Sequence, residues 1–418
     1  MKKIFFILTF FLFSCGDKEN LVDIDAFLKE GKRINLIEGQ NVNYFEVKLI
    51  NEIKILNFTN FSNWNEKNQN HKNLIYPIKK KIEKNKNSIN LKFKSFVINN
   101  EKLIFIDQKS NIFLYNNKFK KIISKKIYNR KIYKNYKLDF SLSTNGKSLF
   151  VSDSLGNVHC FNLENLKLKW RKSFGVPFKS DVKIYKKNLF IINSNSKIFS
   201  INTLNGNLNW SFETSSKNIK DKDSYRIAFY NNKVFFTNDS SEIYCLDLDE
   251  KKILWSFTFE SENFENTPLF SRSSPITIDQ NGILFVSSNN GNTYAIDSNT
   301  GSLKWSNLIY SNNRFVISKN YLFNVFNDFF FIINKNTGKI LFNKNIKKSN
   351  KQKKSFQFDD ILVTNNNIYL FEKNGYLITF TNSNLNNIKI KKYFKEYKNF
   401  ILTNDDLYIN TGHSILKY

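Results

Sequence analysis

The sequence predicts an all-β fold, an eight-bladed β-propeller of four-stranded blades, from two observations. The first is a phrase that ends in tryptophan and recurs at intervals of 40, 45 and 50 residues. Its copies are FNLENLKLKW (Phe161–Trp170), INTLNGNLNW (Ile201–Trp210), LDLDEKKILW (Leu246–Trp255) and IDSNTGSLKW (Ile296–Trp305). Internal periods of about 40–50 residues are typical of propellers. The second is a pair of short runs rich in β-branched and aromatic residues upstream of each phrase, the signature of strands.

The strand pair Ile283–Asp297 illustrates the repeat. ILFVSS and TYAID flank the turn NNGN, which supplies the residues that a tight hairpin loop needs. Seven copies of this pair can be counted along the chain. They are centred on Leu103–Asn116, Leu149–Asn162, Leu189–Asn202, Val234–Asp247, Ile283–Asp297, Leu322–Asn334 and Ile368–Asn382.

The C-terminal segment Asn399–Tyr418 begins an eighth copy that lacks its last strand. We expect an N-terminal strand around Ile55–Trp64 to complete this blade, so that the N- and C-terminal strands share it. Closing the ring in this way removes the exposed strand edges of an open sheet. Residues 51–418 then form a single propeller domain, with seven blades as the alternative.

Large aromatic residues at the end of each repeat are expected to pack between neighbouring blades, where the wedge between them widens outward. A buried tryptophan covers about 150–250 Å². The residues predicted to have this structural role are Trp64, Trp170, Trp210, Trp255, Trp305 and Phe342. The Asp or Asn that recurs in each phrase is expected to cap the following turn with its side chain.

The N-terminus has the features of a bacterial lipoprotein signal peptide over residues 1–14. Lys2 and Lys3 precede the apolar run Ile4–Phe13, which is too short to span a bilayer. The run ends in Leu12-Phe13-Ser14-Cys15, which resembles a lipobox and implies cleavage before Cys15 and its lipidation. Residues 15–50 would then form the lipidated cysteine and a polar tether. Gly16 favours the outer membrane; a plain secreted protein is the alternative.

The chain is strongly basic, with a formal net charge of +28 and a pI of about 9.7. Lys, Asn, Ile and Phe are abundant and share AT-rich codons, so genome composition accounts for much of this charge. A chain with a signal peptide is not expected to bind nucleic acid, although attraction to anionic lipid or to an acidic partner fits the charge.

Residues that could carry chemistry are few. Cys160 and Cys245 occupy the same repeat position, which Ala295 and Ser200 fill in other copies, and this favours two packed thiols. The chain has three histidines, and no zinc, nucleophile-elbow or phosphate-binding motif occurs. The sequence therefore gives no candidate catalytic residue and no candidate metal ligand.

The phrase AIDSNTGSLKW (Ala295–Trp305) resembles the repeat of PQQ-type β-propellers. Two groups share that repeat: quinoprotein dehydrogenases, which bind PQQ and calcium at the propeller centre, and BamB-type outer-membrane assembly lipoproteins, which bind no cofactor. The lipobox, the length, the expected Trp64-bearing closing strand and the segment Ser273–Trp305 resemble the BamB type. This resemblance implies a non-enzymatic scaffold of the β-barrel assembly machinery, on the periplasmic face of the outer membrane and anchored by lipid in its inner leaflet. A PQQ-dependent dehydrogenase and another periplasmic scaffold for envelope assembly are the alternatives.

The resemblance also implies partners and contact residues. The partners would be the periplasmic POTRA region of a BamA-type barrel subunit and unfolded outer-membrane proteins. In the family, the BamA contact lies on loops between the middle blades, which correspond here to Ser216–Arg226 and Glu260–Ser274. The expected contact residues on these loops are Ile219, Asp221, Tyr225, Phe264 and Arg272.

Overall fold

Thirty-two strands in the described part of the chain form eight antiparallel sheets of four strands each. The computed structural model describes residues 45–56, 58, 62–79, 87–136, 138–215, 225–259, 272–289, 291–349, 355–403 and 406–418. The predicted signal peptide, Cys15 and the tether up to residue 44 lie outside these residues, as do Ile219, Asp221 and Phe264.

The strands follow one another along the chain with short connections. The first sixteen are β1 (Asn87–Asn90), β2 (Ser95–Asn99), β3 (Lys102–Ile106), β4 (Asn111–Tyr115), β5 (Lys121–Lys126), β6 (Phe140–Thr144), β7 (Ser148–Asp153), β8 (Asn157–Asn162), β9 (Leu168–Ser173), β10 (Lys183–Tyr185), β11 (Asn188–Ile192), β12 (Lys197–Asn202), β13 (Leu208–Glu213), β14 (Ile227–Tyr230), β15 (Lys233–Thr237) and β16 (Glu242–Asp247). The second sixteen are β17 (Ile253–Thr258), β18 (Thr277–Ile278), β19 (Ile283–Ser287), β20 (Thr293–Asp297), β21 (Leu303–Asn307), β22 (Val316–Ser318), β23 (Tyr321–Phe326), β24 (Phe329–Asn334), β25 (Ile340–Asn345), β26 (Phe358–Val363), β27 (Asn367–Glu372), β28 (Tyr376–Thr381), β29 (Asn384–Lys392), β30 (Asn399–Leu402), β31 (Leu407–Asn410) and β32 (Ser414–Lys417).

Each sheet is one blade of the propeller. Blades 1 to 7 take four consecutive strands each, from β2–β5 to β26–β29, and blade 8 has the order β1-β32-β31-β30. The predicted eight-bladed propeller is therefore confirmed, and so is a closing blade shared by the two ends of the chain. Within the described residues, two short helices, α1 (Arg130–Asn135) and α2 (Ile346–Ser349), lie between strands. In the described ranges, no helix is long and apolar enough to cross a membrane.

The predicted closing strand is wrong in its position. The strand that completes blade 8 is β1, which pairs with β32 from Asn87↔Lys417 to Asn90↔Ser414, and not a strand around Ile55–Trp64. Trp64 instead bridges Ile98 on β2, the innermost strand of blade 1. β1 reads NSIN and is almost wholly exposed, so it has no alternation of apolar residues that a sequence could reveal.

The repeat unit read from the sequence corresponds to the two middle strands of each blade. In blade 5, β19 and β20 pair from Ile283↔Asp297 to Ser287↔Thr293, and their side chains are almost all buried. The recurring Asp or Asn caps the next turn as expected, since each side-chain oxygen accepts the backbone N–H two residues on at 2.8–3.0 Å. These residues are Asn162, Asn202, Asp247, Asp297 and Asn334.

Tryptophans on the outermost strands contact the turn between the last two strands of the following blade. Trp305 Nε1 donates to the backbone oxygen of Lys335 at 2.9 Å, and its ring lies against Gly338. Trp170 and Trp255 make the equivalent bonds to Thr203 and Ser298. Phe342 is fully buried at this position, and Trp210 packs edge-on against Phe190.

Residues 45–50, which the sequence placed in the tether, lie along the outer edge of blade 6. Lys48 forms an antiparallel bridge with Phe342, and Leu49 N donates to the oxygen of Leu341 at 2.9 Å. Lys344 on β25 forms an ion pair with Glu46 at 3.0 Å. The chain therefore contacts the propeller before residue 51, where the sequence placed the start of the domain.

Candidate functional site

The axis of the propeller is lined by the chain's own residues 62–79, which we call the inner belt. The belt passes the innermost strands in blade order. Backbone hydrogen bonds join Trp64 to Ile98 of blade 1 at 2.8 and 3.0 Å, and the oxygen of Asn65 to Thr144 of blade 2 at 2.9 Å. The belt therefore starts at blade 1, whose innermost strand is β2.

The second half of the belt continues the circuit. The backbone oxygen of His71 accepts Phe229 N of blade 4, and that of Lys72 accepts Ile278 N of blade 5. Ile75 and Ile78 then form parallel bridges with blades 6 and 7. Trp64, Leu74, Ile75 and Ile78 are buried, so apolar packing and inner-strand hydrogen bonds hold the belt along its whole length.

Blade 3 binds the belt through a buried ion pair. Lys183 Nζ lies 3.0 Å from Glu66 Oε1 and also donates to Asn73 Oδ1 and to the backbone oxygens of Lys67 and Asn70, at 2.7–3.1 Å. Glu66 Oε2 accepts Ile184 N at 3.1 Å. Burial raises the pKa of Glu66, and Lys183 opposes that rise. Four belt residues therefore depend on one ammonium group.

A second buried cation lies where blades 6, 7 and 8 meet the belt. The guanidinium of Arg314 lies 2.8 Å from the carboxylate of Asp360 and donates to Asn68 Oδ1 at 3.3 Å. It also faces the rings of Trp64 and Phe400, at 5.8 and 4.9 Å. The Tyr397 hydroxyl donates to Asp360 at 2.7 Å. Glu66 and Asp360 are thus both committed to protein partners.

An open cavity of about 590 Å³ lies on one side of the belt. Its walls are rich in amides and include Asn63, Gln69, Asn145, His71 and Tyr76. Burial lowers the pKa of His71 to about 4, so that this imidazole is neutral at neutral pH. On the other side, a void of about 10 Å³ beside Lys183 has room for about one water.

The residues that line the axis are not a suitable ligand set for PQQ with calcium, the groups implied by the quinoprotein branch of the fold. Calcium takes six to eight oxygen ligands, with carboxylates prominent among them. Among the described residues that line the larger cavity, the one carboxylate is Glu66, which is bound to Lys183. Within the described ranges, no three His, Cys, Asp or Glu side chains converge on a possible metal position.

The described ends of the two connections expected to contact a partner meet beside blade 4. Arg226, at the end of the first, donates from Nε to the backbone oxygen of Ser273, at the end of the second, at 2.9 Å. Arg272 N donates to Asn289 Oδ1 at 2.8 Å. The Tyr225 hydroxyl lies 3.3 Å from both Ser196 Oγ and Asp239 Oδ2, and burial raises its pKa to about 12.

A family model described as "Outer membrane protein assembly factor BamB" matches residues 134–344, half of the chain. The chain belongs to the BamB family. The matched residues run from α1 into β25, so they include blades 2 to 5, most of blade 6 and both connections at blade 4. A comparison with curated proteins finds no match for this BamB-family chain.

Solved structures share the fold. BamB from Moraxella catarrhalis is 13% identical, with a TM-score of 0.64 over 80% of this chain and 98% of that one. A quinohemoprotein alcohol dehydrogenase from Pseudomonas putida HK5 is 9% identical, with a TM-score of 0.62 over 85% of this chain and 80% of its own. A europium-containing methanol dehydrogenase is 8% identical, with a TM-score of 0.62 over 83% and 89%. At these identities the likeness establishes the propeller and leaves the activity open.

The inner belt is the feature that the sequence did not reveal. Its residues read SNWNEKNQNHKNLIYPIK, with neither period-two alternation nor a turn–strand–turn pattern. Two features of the sequence could have indicated the belt: Trp64, which lies outside the repeat, and the apolar run LIYPI, which belongs to none of the repeated strand pairs. The two buried thiols lie where the sequence placed them. Burial raises the pKa of Cys160 to about 11 and that of Cys245 to about 12.

Proposed function

We propose that this protein is a non-enzymatic scaffold of the β-barrel assembly machinery. It binds the POTRA region of a BamA-type barrel subunit and assists folding and insertion of outer-membrane β-barrel proteins. The observation that carries the proposal is the BamB family match over blades 2 to 6. The inner belt supports it, because it lines the axis and because Glu66 and Asp360 there are paired with Lys183 and Arg314.

The two connections at blade 4 are the proposed contact surface. The Arg226–Ser273 hydrogen bond holds their ends together, so both can face one partner. Each connection offers apolar and charged side chains: Ile219 and Asp221 on the first, Phe264 and Arg272 on the second. Interfaces commonly depend on a few such anchors, with truncation of an anchor costing at least about 2 kcal/mol.

Exchanging Ile219 and Phe264 together for aspartate is expected to lower partner binding by at least about thirtyfold, since that is the effect of about 2 kcal/mol. The measurement is a pull-down of the tagged lipoprotein from detergent-solubilised membranes, with mass spectrometry of the co-eluting proteins. Recovery of a POTRA-containing barrel subunit by the unmodified protein, and its loss in the variant, are the expected results.

The matched control is Leu204→Asp. Leu204 is an apolar side chain, 79% exposed, in the turn between β12 and β13, at the opposite end of β13 from the first connection. Like the test variant, it replaces an apolar side chain by aspartate, although it adds one negative charge and not two; it does not touch the proposed surface and should leave recovery unchanged. Equal losses in both variants would contradict a contact at blade 4. Absence of any barrel subunit, with PQQ- and calcium-dependent dye reduction on an alcohol, would favour the dehydrogenase.

We also propose that Cys15 carries the lipid that anchors the protein in the inner leaflet of the outer membrane, facing the periplasm. Cys15→Ser is expected to abolish incorporation of labelled palmitate, because the thiol that would carry the lipid is gone. The protein should then leave sedimenting outer membranes, because the acyl chains that hold it there are missing. Metabolic labelling followed by membrane fractionation measures both effects.

The control for this experiment is the double variant Cys160→Ala and Cys245→Ala. Both thiols are buried, and alanine already fills the equivalent position in blade 5 as Ala295. This variant should keep the full palmitate signal. Labelling that survives Cys15→Ser, or that disappears in the double alanine variant, would show that the lipid is attached elsewhere.

A further inference from the structure

The outermost strands of the blades differ sharply in charge. Those of blades 7, 1 and 2 (β29, β5 and β9) each carry three basic residues and no acidic one. These nine exposed residues are Lys389, Lys391 and Lys392, Lys121, Lys125 and Lys126, and Lys169, Arg171 and Lys172. The outermost strands of blades 3, 4 and 5 read LNWSFE, ILWSFT and LKWSN, with one acidic and one basic residue among them.

The basic strands lie together. Blades 7, 8, 1 and 2 follow one another around the ring, so β29, β5 and β9 occupy one half of its rim, with the uncharged β1 between β29 and β5. We call these three strands the basic arc. Blade 4 lies opposite blade 8. A composition bias that acted on the whole chain would spread lysines over all outer strands and would not produce this division.

On the opposite half of the rim, carboxylates offset part of the small basic charge. Lys197 pairs with Glu213, and Lys304 with Asp297, each at 3.3 Å. On the arc, basic groups lie over aromatic rings: Lys121 over Phe113 at 5.3 Å and Lys391 over Tyr393 at 5.1 Å. Such contacts keep the cation in place without neutralising it.

We propose that the basic arc docks on an anionic phospholipid surface. A lysine close to such a surface strengthens binding about fivefold, and the contributions of several lysines combine. The nine cations give one side of the lateral rim a positive charge that attracts a negatively charged surface. The proposal depends on the proposed Cys15 anchor only for bringing the protein to a membrane.

The path of the chain supports this orientation. Residues 45–49 join the propeller at β25, the outer strand of blade 6, which adjoins blade 7 where the arc begins. The backbone from residue 15 to residue 45 can span up to about 100 Å, so an anchor at Cys15 alone would leave the propeller free to turn. Docking of the arc would fix the orientation and direct blades 3 to 5, with both connections at blade 4, away from the lipid.

The test compares two labelled positions on the purified lipoprotein reconstituted in vesicles. Ser124→Cys on β5 and Ser256→Cys on β17 are both exposed, and a fluorophore at each reports transfer to an acceptor on lipid headgroups. The native thiols Cys160 and Cys245 are buried and will not compete for label. With phosphatidylglycerol present, transfer should be stronger from position 124. In pure phosphatidylcholine, or at high salt, the difference should vanish.

Two charge variants isolate the arc. Lys121, Lys125, Lys389 and Lys391, all changed to Gln, should remove the difference and weaken salt-sensitive association with anionic vesicles by at least about tenfold. The matched control changes four exposed turn lysines to Gln, removing the same charge from blades 3, 4 and 6, and should behave as the unmodified protein. These lysines are Lys187, Lys251, Lys319 and Lys339.

Equal transfer from the two positions in anionic vesicles, or equal effects of the two variants, would overturn the proposal. Failure of the anchor gives a different result. A protein without lipid would not float with phosphatidylcholine vesicles, yet it would still float with phosphatidylglycerol vesicles if the arc docks.

Discussion

Exchanging Lys183 for methionine is expected to destabilise the folded protein by about 3–5 kcal/mol, the usual cost of removing one partner from a buried ion pair. Methionine keeps the length of the side chain and removes the charge. Glu66 would then remain buried beside uncompensated carbonyl oxygens of Lys67 and Asn70, which Lys183 Nζ now binds. The inner belt would lose its attachment to blade 3.

The loss of stability in Lys183→Met should depend on pH, because it leaves the buried carboxyl group of Glu66 without its cation. Burial raises the pKa of Glu66, and Lys183 is the main group that lowers it. Without Lys183 the folded-state pKa rises further, so the folded state binds more protons than the unfolded state above the unfolded pKa. Stability of the variant should therefore fall as the pH rises and recover as the pH is lowered through the folded pKa.

Urea unfolding of both proteins between about pH 5 and pH 8 measures the effect. Lys187→Met, which removes an exposed lysine four residues away, should change stability by less than about 0.5 kcal/mol at every pH. Adding Glu66→Gln to Lys183→Met should restore part of the loss and remove its pH dependence. A pH-independent loss in the single variant would show that Glu66 is not the group left uncompensated.

The blades could be predicted from the sequence because their information is local. In β19 and β20, apolar residues, the NNGN turn and the capping Asp297 all lie within one short hairpin, so each favours the same structure. The same reasoning located the four repeat tryptophans, because each lies on the strand that follows the capped turn; Trp64, which lies in the inner belt, is the exception.

The belt and the closing strand could not be predicted because their partners are distant in sequence. Asn73 is a belt residue whose side chain bonds Ile227 and Ile276, more than 150 residues away. Polar residues with such partners are indistinguishable in a sequence from those of a solvated loop. β1 has one half-buried apolar residue, Ile89, and is otherwise exposed, so its pairing with distant β32 is what marks it as a strand.

The candidate site, too, could be predicted only in part from the sequence. A resemblance in the repeat was sufficient to select the connections at blade 4, whereas their hydrogen bond, from Arg226 to Ser273, depends on the fold. The pairing of Glu66 with Lys183, which opposes a metal at the axis, likewise required the belt to be placed.

Exchanging Trp305 for alanine should cost about 3–5 kcal/mol, the range for removing a large buried aromatic side chain. Trp305 is 8% exposed, lies beside Phe285 in its own blade and bonds Lys335 in the next. Its loss opens a cavity between blades 5 and 6. Each blade of a closed ring is stabilised by both neighbours, so we expect the blades to unfold together. The variant should therefore show a single unfolding transition, with its midpoint at a lower urea concentration than that of the unmodified protein.

Gly338 tests whether the tryptophan contact itself is the cause. Gly338 has φ +72°, and a Cβ there would lie 2.7 Å from the ring of Trp305. Gly338→Ala should therefore cost the backbone strain of a left-handed alanine, about 1–2 kcal/mol, plus the clash. Gly175→Ala is the control, since Gly175 has φ +71° and a Cβ there would meet nothing within 4 Å.

The double variant completes a thermodynamic cycle. With Trp305 already alanine, Gly338→Ala should cost no more than Gly175→Ala, because the ring that its Cβ would strike is gone. The two single effects at residues 305 and 338 should then add to more than the double variant loses. Simple additivity, measured by urea unfolding of all four proteins, would mean that Trp305 stabilises its own blade and not the junction with the next.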